Sequence, residues 1–272
     1  MAGDGAGAGA VGAILFVMKS GASQPASQGP FRADQLQSGD SYELSHGHPV
    51  RCLPTGGRGS KATSVGDRVL ASDPAVRDVG VDTGFSLAPD TLRAPDLSVA
   101  EIPDQPGWVQ GVPPLAVEYA DTGQDEGELA VKIQDLLAAG TRFIWVVRLT
   151  GPRRVEIYEP GKNVRVAHPG EELQAPGILA NPIQVEALYD GDLSWEVVFR
   201  NLLQRKGYDS LEAVQAQDLR DAILEVLTAR GLEVDNAFRA ALADERDVET
   251  LKILLRRAAT AASAPEILPP RD

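Results

Sequence analysis

The chain has 272 residues, and 39 acidic against 26 basic side chains give it a formal net charge of −13. This charge argues against a broad surface that wraps nucleic acid, although a local cleft remains compatible with it. The single cysteine, Cys52, excludes an intrachain disulfide and a four-cysteine zinc site, and it favours a reducing, cytoplasmic compartment. Because no apolar run reaches the ~20 residues that span a bilayer, we expect no membrane contact.

The first 30 residues predict a disordered leader. Residues 1–18 are rich in Gly and Ala and end in an apolar run, but the first basic residue, Lys19, comes after that run. A signal peptide places basic residues before its apolar run, so secretion is disfavoured. A start at Met18 instead of Met1 is an equally good account of this segment.

Residues 31–190 have the pattern of an α/β domain. Apolar runs predict strands over residues 97–100, 115–120, 143–149 and 155–158, the last two forming a hairpin. Leu129, Ile133, Leu136 and Leu137 repeat with helical spacing before Gly140, a residue suited to a helix C-terminus. A strand, a helix and a strand in this order predict a crossover unit with parallel strands. Earlier, the glycine-rich residues 56–61 predict a turn.

Residues 191–264 predict an all-helical appendage. One helix is expected between Ser210 and Gly231, a shorter one around Phe238 and a third around Leu254. Their apolar stripes are suited to a homodimer contact or to another partner. Residues 265–272 are expected to form a disordered end.

Asp96, Glu118 and Lys132 are the residues with the clearest chemical potential. A carboxylate inside a strand as apolar as residues 115–120 is costly to bury unless a cation compensates its charge. Two carboxylates on neighbouring strands can share Mg²⁺, which retains several waters. A structural interpretation is equally compatible with the spacing: Asp96 caps a turn, Glu118 pairs with an arginine such as Arg148, and Lys132 is solvated.

Several short motifs in order make the domain similar to a known family: YELSHG (42–47), RAPDLSV (93–99), PPLAVEYA (113–120), Lys132, Gly140, RFIWVV (142–147) and RRVEIYEPG (153–161). Over roughly residues 35–190 the chain resembles the Uma2 family, restriction-endonuclease-like proteins of the PD-(D/E)XK superfamily. The resemblance implies a mixed sheet with flanking helices. It also implies that Asp96 and Glu118 bind a metal ion, that Lys132 is the catalytic lysine and that Glu43 is an additional acid near the metal.

The function implied by this resemblance is Mg²⁺- or Mn²⁺-dependent endonucleolytic cleavage of DNA, often by a dimer. The sequence departs from the superfamily pattern, because Ala120 stands where a lysine usually follows the glutamate and Lys132 must replace it. Family members also often carry a tyrosine where this chain has Leu136. A catalytically silent nuclease fold that acts as a binding or assembly module is therefore the alternative.

Overall fold

The computed structural model describes residues 29–268, so residues 1–28 of the expected leader and residues 269–272 of the expected disordered end lie outside it. The strands of the described part are β1 (Tyr42–Ser45), β2 (His48–Arg51), β3 (Val79–Val81), β4 (Phe85–Ala88), β5 (Thr91–Arg93), β6 (Leu97–Val99), β7 (Val109–Gln110), β8 (Leu115–Ala120), β9 (Phe143–Arg148), β10 (Arg154–Tyr158), β11 (Arg165–Ala167), β12 (Glu172–Leu173) and β13 (Ile183–Gln184). Its α-helices are α1 (Gly57–Ser72), α2 (Glu126–Ala139), α3 (Gly191–Arg205), α4 (Leu211–Ala229), α5 (Asn236–Asp244) and α6 (Val248–Ala258).

A six-stranded mixed sheet with the order β11-β10-β9-β8-β6-β3 forms the larger layer. Its strands β8 and β9 are parallel and are connected by α2, whereas the other neighbours are antiparallel. Asp125 caps the N-terminus of α2 through the amides of Gly127 and Glu128, and Gly140 ends the helix with φ 115° in the left-handed region. The expected crossover unit and the mixed α/β fold are thus confirmed.

The two faces of β8 meet different helices. Leu115, Val117 and Tyr119 belong to the main core, which also contains residues of α1 and α3. Ala116 and Ala120 point to the other face, where they pack with apolar residues of α2. Because side chains alternate along a strand, Glu118 shares the α2 face with the two alanines.

A second, five-stranded sheet with the order β2-β1-β5-β4-β7 lies beyond α2. Helix α2 contacts β4 and β5 of this sheet as well as β9 of the larger one. Polar groups on α2 can therefore reach both sheets.

The turn expected over residues 56–61 is wrong, because α1 begins at Gly57 with Gly56 as its N-cap. Glycine disfavours helix by about 1 kcal/mol per residue, but α1 buries Ala62, Val65, Val69 and Leu70 along one face. Gly66 is also required by packing, since a Cβ there would collide with the Tyr119 hydroxyl. Tertiary burial outweighs local propensity in this segment.

The three C-terminal helices expected from the sequence are confirmed as α4, α5 and α6, and they share a core separate from the main one. Helix α3 differs from them, because Val197 and Val198 pack in the main core. The domain boundary at residue 190 remains a prediction, and this packing favours a boundary after α3.

The disordered end expected over residues 265–272 is wrong for its described part. Residues Ala264–Glu266 form a 3-10 turn, and Ile267 is fully buried in the core of the C-terminal helices. Burial of this isoleucine anchors the segment despite the adjacent prolines. Within residues 29–268, no helix combines the length and apolarity needed to cross a membrane.

Candidate active site

Lys132 of α2 lies between two buried glutamates from different sheets. Its Nζ is 3.0 Å from Oε1 of Glu43 on β1 and 2.8 Å from Oε1 of Glu118 on β8. The same ammonium donates a hydrogen bond of 2.6 Å to the carbonyl oxygen of Ala94. The expectation of a solvated Lys132 is therefore wrong, because its side chain is only 13% exposed and is held from three directions.

Asp96 joins this cluster from the loop that leads into β6. Leu97 pairs with Val117 in the antiparallel register of β6 and β8, so Asp96 comes next to Glu118 across the two strands. Its Oδ2 accepts a hydrogen bond of 2.6 Å from the backbone amide of Tyr119. The four residues singled out in the sequence, Glu43, Asp96, Glu118 and Lys132, thus converge in one place.

A second layer of buried charge supports the cluster and was not foreseen from the sequence. Arg93 of β5 is 1% exposed; its Nη1 is 3.2 Å from Glu43 Oε2, and its Nε and Nη2 donate to Asp135 Oδ2 at 2.9 and 2.6 Å. Asp135 of α2 also accepts a hydrogen bond from Ser45 and lies 3.1 Å from His46 Nε2. The sequence feature that could have revealed this second layer is Asp135, an acidic residue that follows Lys132 by one turn on the buried side of the predicted helix.

Burial dominates the electrostatics of the cluster. It raises the pKa of Glu118 above its ordinary value, against the opposing effect of Lys132 and with a further increase from the neighbouring Asp96. Burial likewise raises the pKa of Asp96, although Lys132 and the Tyr119 amide counteract it. For Lys132, burial alone would lower the pKa, but Glu118, Glu43 and Asp96 together raise it. The cluster therefore keeps its lysine charged, while the charges of Asp96 and Glu118 are not fully compensated.

The donor chemistry of the cluster fits a divalent cation held by two protein ligands. Glu118 Oε1 is buried, and among the described residues its counter-charge is the Lys132 ammonium at 2.8 Å, which it shares with Glu43. Mg²⁺ binds one or two carboxylates and keeps waters in its remaining positions. Across residues 29–268, no group of three or more His, Cys, Asp or Glu side chains is arranged to hold a metal ion. A site with more than two protein ligands is therefore not formed in this conformation.

The alternative pairing of Glu118 with Arg148 is wrong. Arg148 contacts Glu126 of α2 at 2.6 Å and Glu156 of β10 at 3.0 Å. Arg154 and Tyr158 also donate to Glu156, which completes a separate ion-pair cluster on the same face of the sheet.

One solved structure has the same type of fold. A structure titled "putative nuclease belonging to DUF820" from Anabaena variabilis ATCC 29413 matches with a TM-score of 0.51 and 19% identity, covering 59% of this chain and 98% of that one. A complex of DrdV with DNA matches with a TM-score of only 0.23 and 12% identity, covering 72% of this chain and 18% of that one. Among curated proteins, none matches this chain significantly.

The sequence motifs are matched by a family model as well. The Uma2 model, described as "Putative restriction endonuclease", matches residues 31–186, which contain the whole charged cluster. This match extends over more than half of the sequence and agrees with the nuclease-type fold, and the chain therefore belongs to the Uma2 family.

Proposed function

We propose that this chain is a metal-dependent endonuclease that hydrolyses phosphodiester bonds, with DNA as its substrate. The observation that carries the proposal is the convergence of Asp96 and Glu118 from adjacent strands with Lys132 from the crossover helix. The family description and the nuclease of similar fold support the reaction class. The choice of DNA follows from the family description of a restriction endonuclease.

Asp96 and Glu118 are the residues that would hold the ion, and Mg²⁺ or Mn²⁺ suits their oxygen ligands. A divalent cation, when bound, makes hydroxide available at neutral pH and offsets charge on the phosphate. Glu118 contributes a buried oxygen that has no aligned donor among residues 29–268, and Asp96 is oriented by the Tyr119 amide.

Lys132 is suited to hold the attacking water or to stabilise the negative charge that builds on the phosphate. Its position is fixed by the Ala94 carbonyl and by Glu43, while Arg93 in turn holds Glu43. Glu43 is thus a positioning residue in this proposal. A fixed ammonium avoids reorganisation during the reaction, which is the main advantage of a preorganised site.

The compartment and the assembly are also proposals. A cytoplasmic location is supported by a single cysteine, Cys52, which is exposed and free. The exposed apolar surface of the helices after residue 190 supports a homodimer.

A catalytically silent nuclease fold is the second candidate, and one observation favours it. Lys132 contacts both Glu43 and Glu118, so the cluster neutralises part of its own charge without a metal ion. A silent protein of this kind would serve as a binding or assembly module.

Cleavage of supercoiled plasmid with Mg²⁺ or Mn²⁺ distinguishes the two candidates. The native protein should nick the plasmid, whereas Asp96→Ala and Lys132→Ala should not. Lys162→Ala is a matched control, since Lys162 is an exposed lysine whose ion-pair partner in the described part of the chain is Glu159. Equal behaviour of the native protein and both site variants would refute the nuclease proposal and favour the silent fold.

A further inference from the structure

Helix α3 presents an exposed apolar stripe on the side that faces away from the core. Trp195, Phe199 and Leu202 remain 58%, 53% and 50% exposed. The opposite side of the helix is buried through Ser194, Val197, Val198 and Asn201. Adjacent large apolar side chains on a surface usually mark an interaction site.

Two charged residues extend this stripe at its ends. Asp192, in the first turn of α3, and Lys206, which caps its C-terminus, are both exposed. From Asp192 through the three apolar residues to Lys206, the intervals alternate between three and four residues, as in the seam between two paired helices. Neither charged side chain forms an ion pair within residues 29–268. The stripe therefore has an acidic end, an apolar middle and a basic end.

We propose, on the basis of the homodimer in the proposed function, that α3 pairs with α3 of a second copy of this chain in an antiparallel, two-fold symmetric dimer. A two-fold axis at Phe199 places Asp192 opposite Lys206 of the second copy, because each is seven residues from the axis. It also brings Trp195, four residues from the axis, beside Leu202 of the second copy, which is three residues from it. An acidic and a basic end make the stripe complementary to itself in this direction only, because a parallel pair would bring like charges together. This charge pattern identifies the occupant as a second copy.

Trp195 is already held in position for such a contact. The Arg68 guanidinium lies 4.6 Å from the centre of the Trp195 ring, and it is fixed by hydrogen bonds of 2.7 and 3.0 Å to Ser194 Oγ. A stacked arginine limits the motion of the indole, so less conformational entropy is lost on association. Tryptophan and arginine are also the residues that most often dominate interface energies.

The dimer surface is independent of the proposed active site. Helix α3 lies with α1 on the main-core face of the larger sheet, whereas Lys132 belongs to α2 on the opposite face. Substitutions on the stripe should therefore leave metal-dependent nicking by the full chain unchanged.

Sedimentation of the full chain over about 1–100 µM tests the proposal, since an interface of this small size suggests micromolar affinity. The native protein should associate to a dimer, and Phe199→Glu should raise the dissociation constant at least ~100-fold because it buries a charge on the axis. Ile253→Glu is the matched control, as Ile253 is 46% exposed but lies on α6. Melting curves should confirm that both variants fold.

Charge reversal identifies the orientation of the pair. Asp192→Lys alone and Lys206→Asp alone should each weaken the dimer roughly tenfold, because two-fold symmetry duplicates every like-charge contact. The double variant should restore native affinity.

A native monomer at all concentrations would overturn the proposal and would mean that the stripe binds a different protein. A dimer lost in Ile253→Glu but kept in Phe199→Glu would overturn it in favour of the C-terminal helices, and failure of the double variant to recover would overturn the antiparallel register.

Discussion

Glu118 and Glu156 occupy the same cross-strand row of the larger sheet, separated only by Val146 of β9. Both are carboxylates on the α2 face, and both have a basic residue within 3.0 Å. They nevertheless differ in how well their charge is compensated, and we propose that this difference separates a functional carboxylate from a structural one.

The negative charge of Glu156 is compensated by hydrogen bonds from its neighbours. Arg148 donates to its Oε2 through Nε and Nη2 at 3.1 and 3.0 Å, while Arg154 and Tyr158 supply two further hydrogen bonds. Partial burial would raise the pKa of Glu156, but these donors outweigh burial and hold its pKa below the ordinary value. Glu118 has one cation that it shares with Glu43, and its pKa is raised. A carboxylate with a raised pKa beside a lysine and a second acid is the arrangement expected of a functional site.

The largest expected difference between the two glutamates is in catalysis. Glu118→Gln should lower the rate of plasmid cleavage by about 10²–10³-fold, since an oriented charge is lost where the phosphate reacts. Glu156→Gln, the same change two strands away in this row, should alter the rate by less than about threefold because its side-chain partners among the described residues are Arg148, Arg154 and Tyr158. Nicking rates of both variants, with circular dichroism to confirm folding, make the comparison. Equal losses would assign both residues a structural role.

The arginines of the two clusters should differ in how much they contribute to the stability of the folded protein. Arg93→Met leaves the buried carboxylates of Glu43 and Asp135 without their shared partner, which should cost about 3–5 kcal/mol of unfolding free energy. Arg154→Met removes a partner that is 33% exposed, and about 0–1 kcal/mol is expected. Urea denaturation monitored by tryptophan fluorescence measures both values. A cost below 1 kcal/mol for Arg93→Met would show that Lys132 alone maintains the cluster.

Metal binding should depend on the cluster of Glu43, Asp96, Glu118 and Lys132 and not on the ion pairs around Glu156. At a Mn²⁺ concentration about 100 times the dissociation constant, binding to the folded state adds about 2.7 kcal/mol, which corresponds to a rise in melting temperature of roughly 5–10 °C. Asp96→Asn should abolish this rise, whereas Glu156→Gln should keep it. Differential scanning calorimetry with and without Mn²⁺ provides the measurement. A rise that persists in Asp96→Asn would place the ion elsewhere.

Two members of the cluster, Glu118 and Lys132, were accessible from the sequence pattern because each stands on an element with strong periodicity, whereas the role of Glu43 came only from the family resemblance. The alternating strand around Glu118 and the helix ending at Gly140 fix the positions of Glu118 and Lys132 on facing surfaces. The link between Arg93 and Asp135 could not be read in this way, since the two residues are 42 positions apart and belong to different elements. Only the packing of α2 between two sheets brings them together.

Local composition also gave a wrong prediction of structure in two segments, and the physical reason is the same in both. Gly57 and Gly59 favour a turn, and Pro265 favours an irregular end, yet the structure has a helix and a 3-10 turn there. In both cases apolar side chains that follow, Ala62 of α1 and Ile267 near the C-terminus, are buried in a core. Burial of such side chains depends on distant parts of the chain, which a local pattern does not contain.

The smallest expected effect is the dependence of stability on pH in the absence of divalent ions. The pKa of Glu118 rises from its ordinary 4.5 to about 8, so between these values the folded state binds more protons than the unfolded one. Stability should therefore fall as pH rises through this window, by no more than about 1.4 kcal/mol per pH unit, which is the limit for one proton. Glu156 has a lowered pKa, so its contribution is complete above pH 4.5 and is lost only at lower pH. Urea denaturation in EDTA from pH 5 to 8 should give a flatter profile for Glu118→Gln and a native slope for Glu156→Gln. An unchanged slope in Glu118→Gln would mean that this carboxylate is as well compensated as Glu156, and the contrast between the two glutamates would disappear.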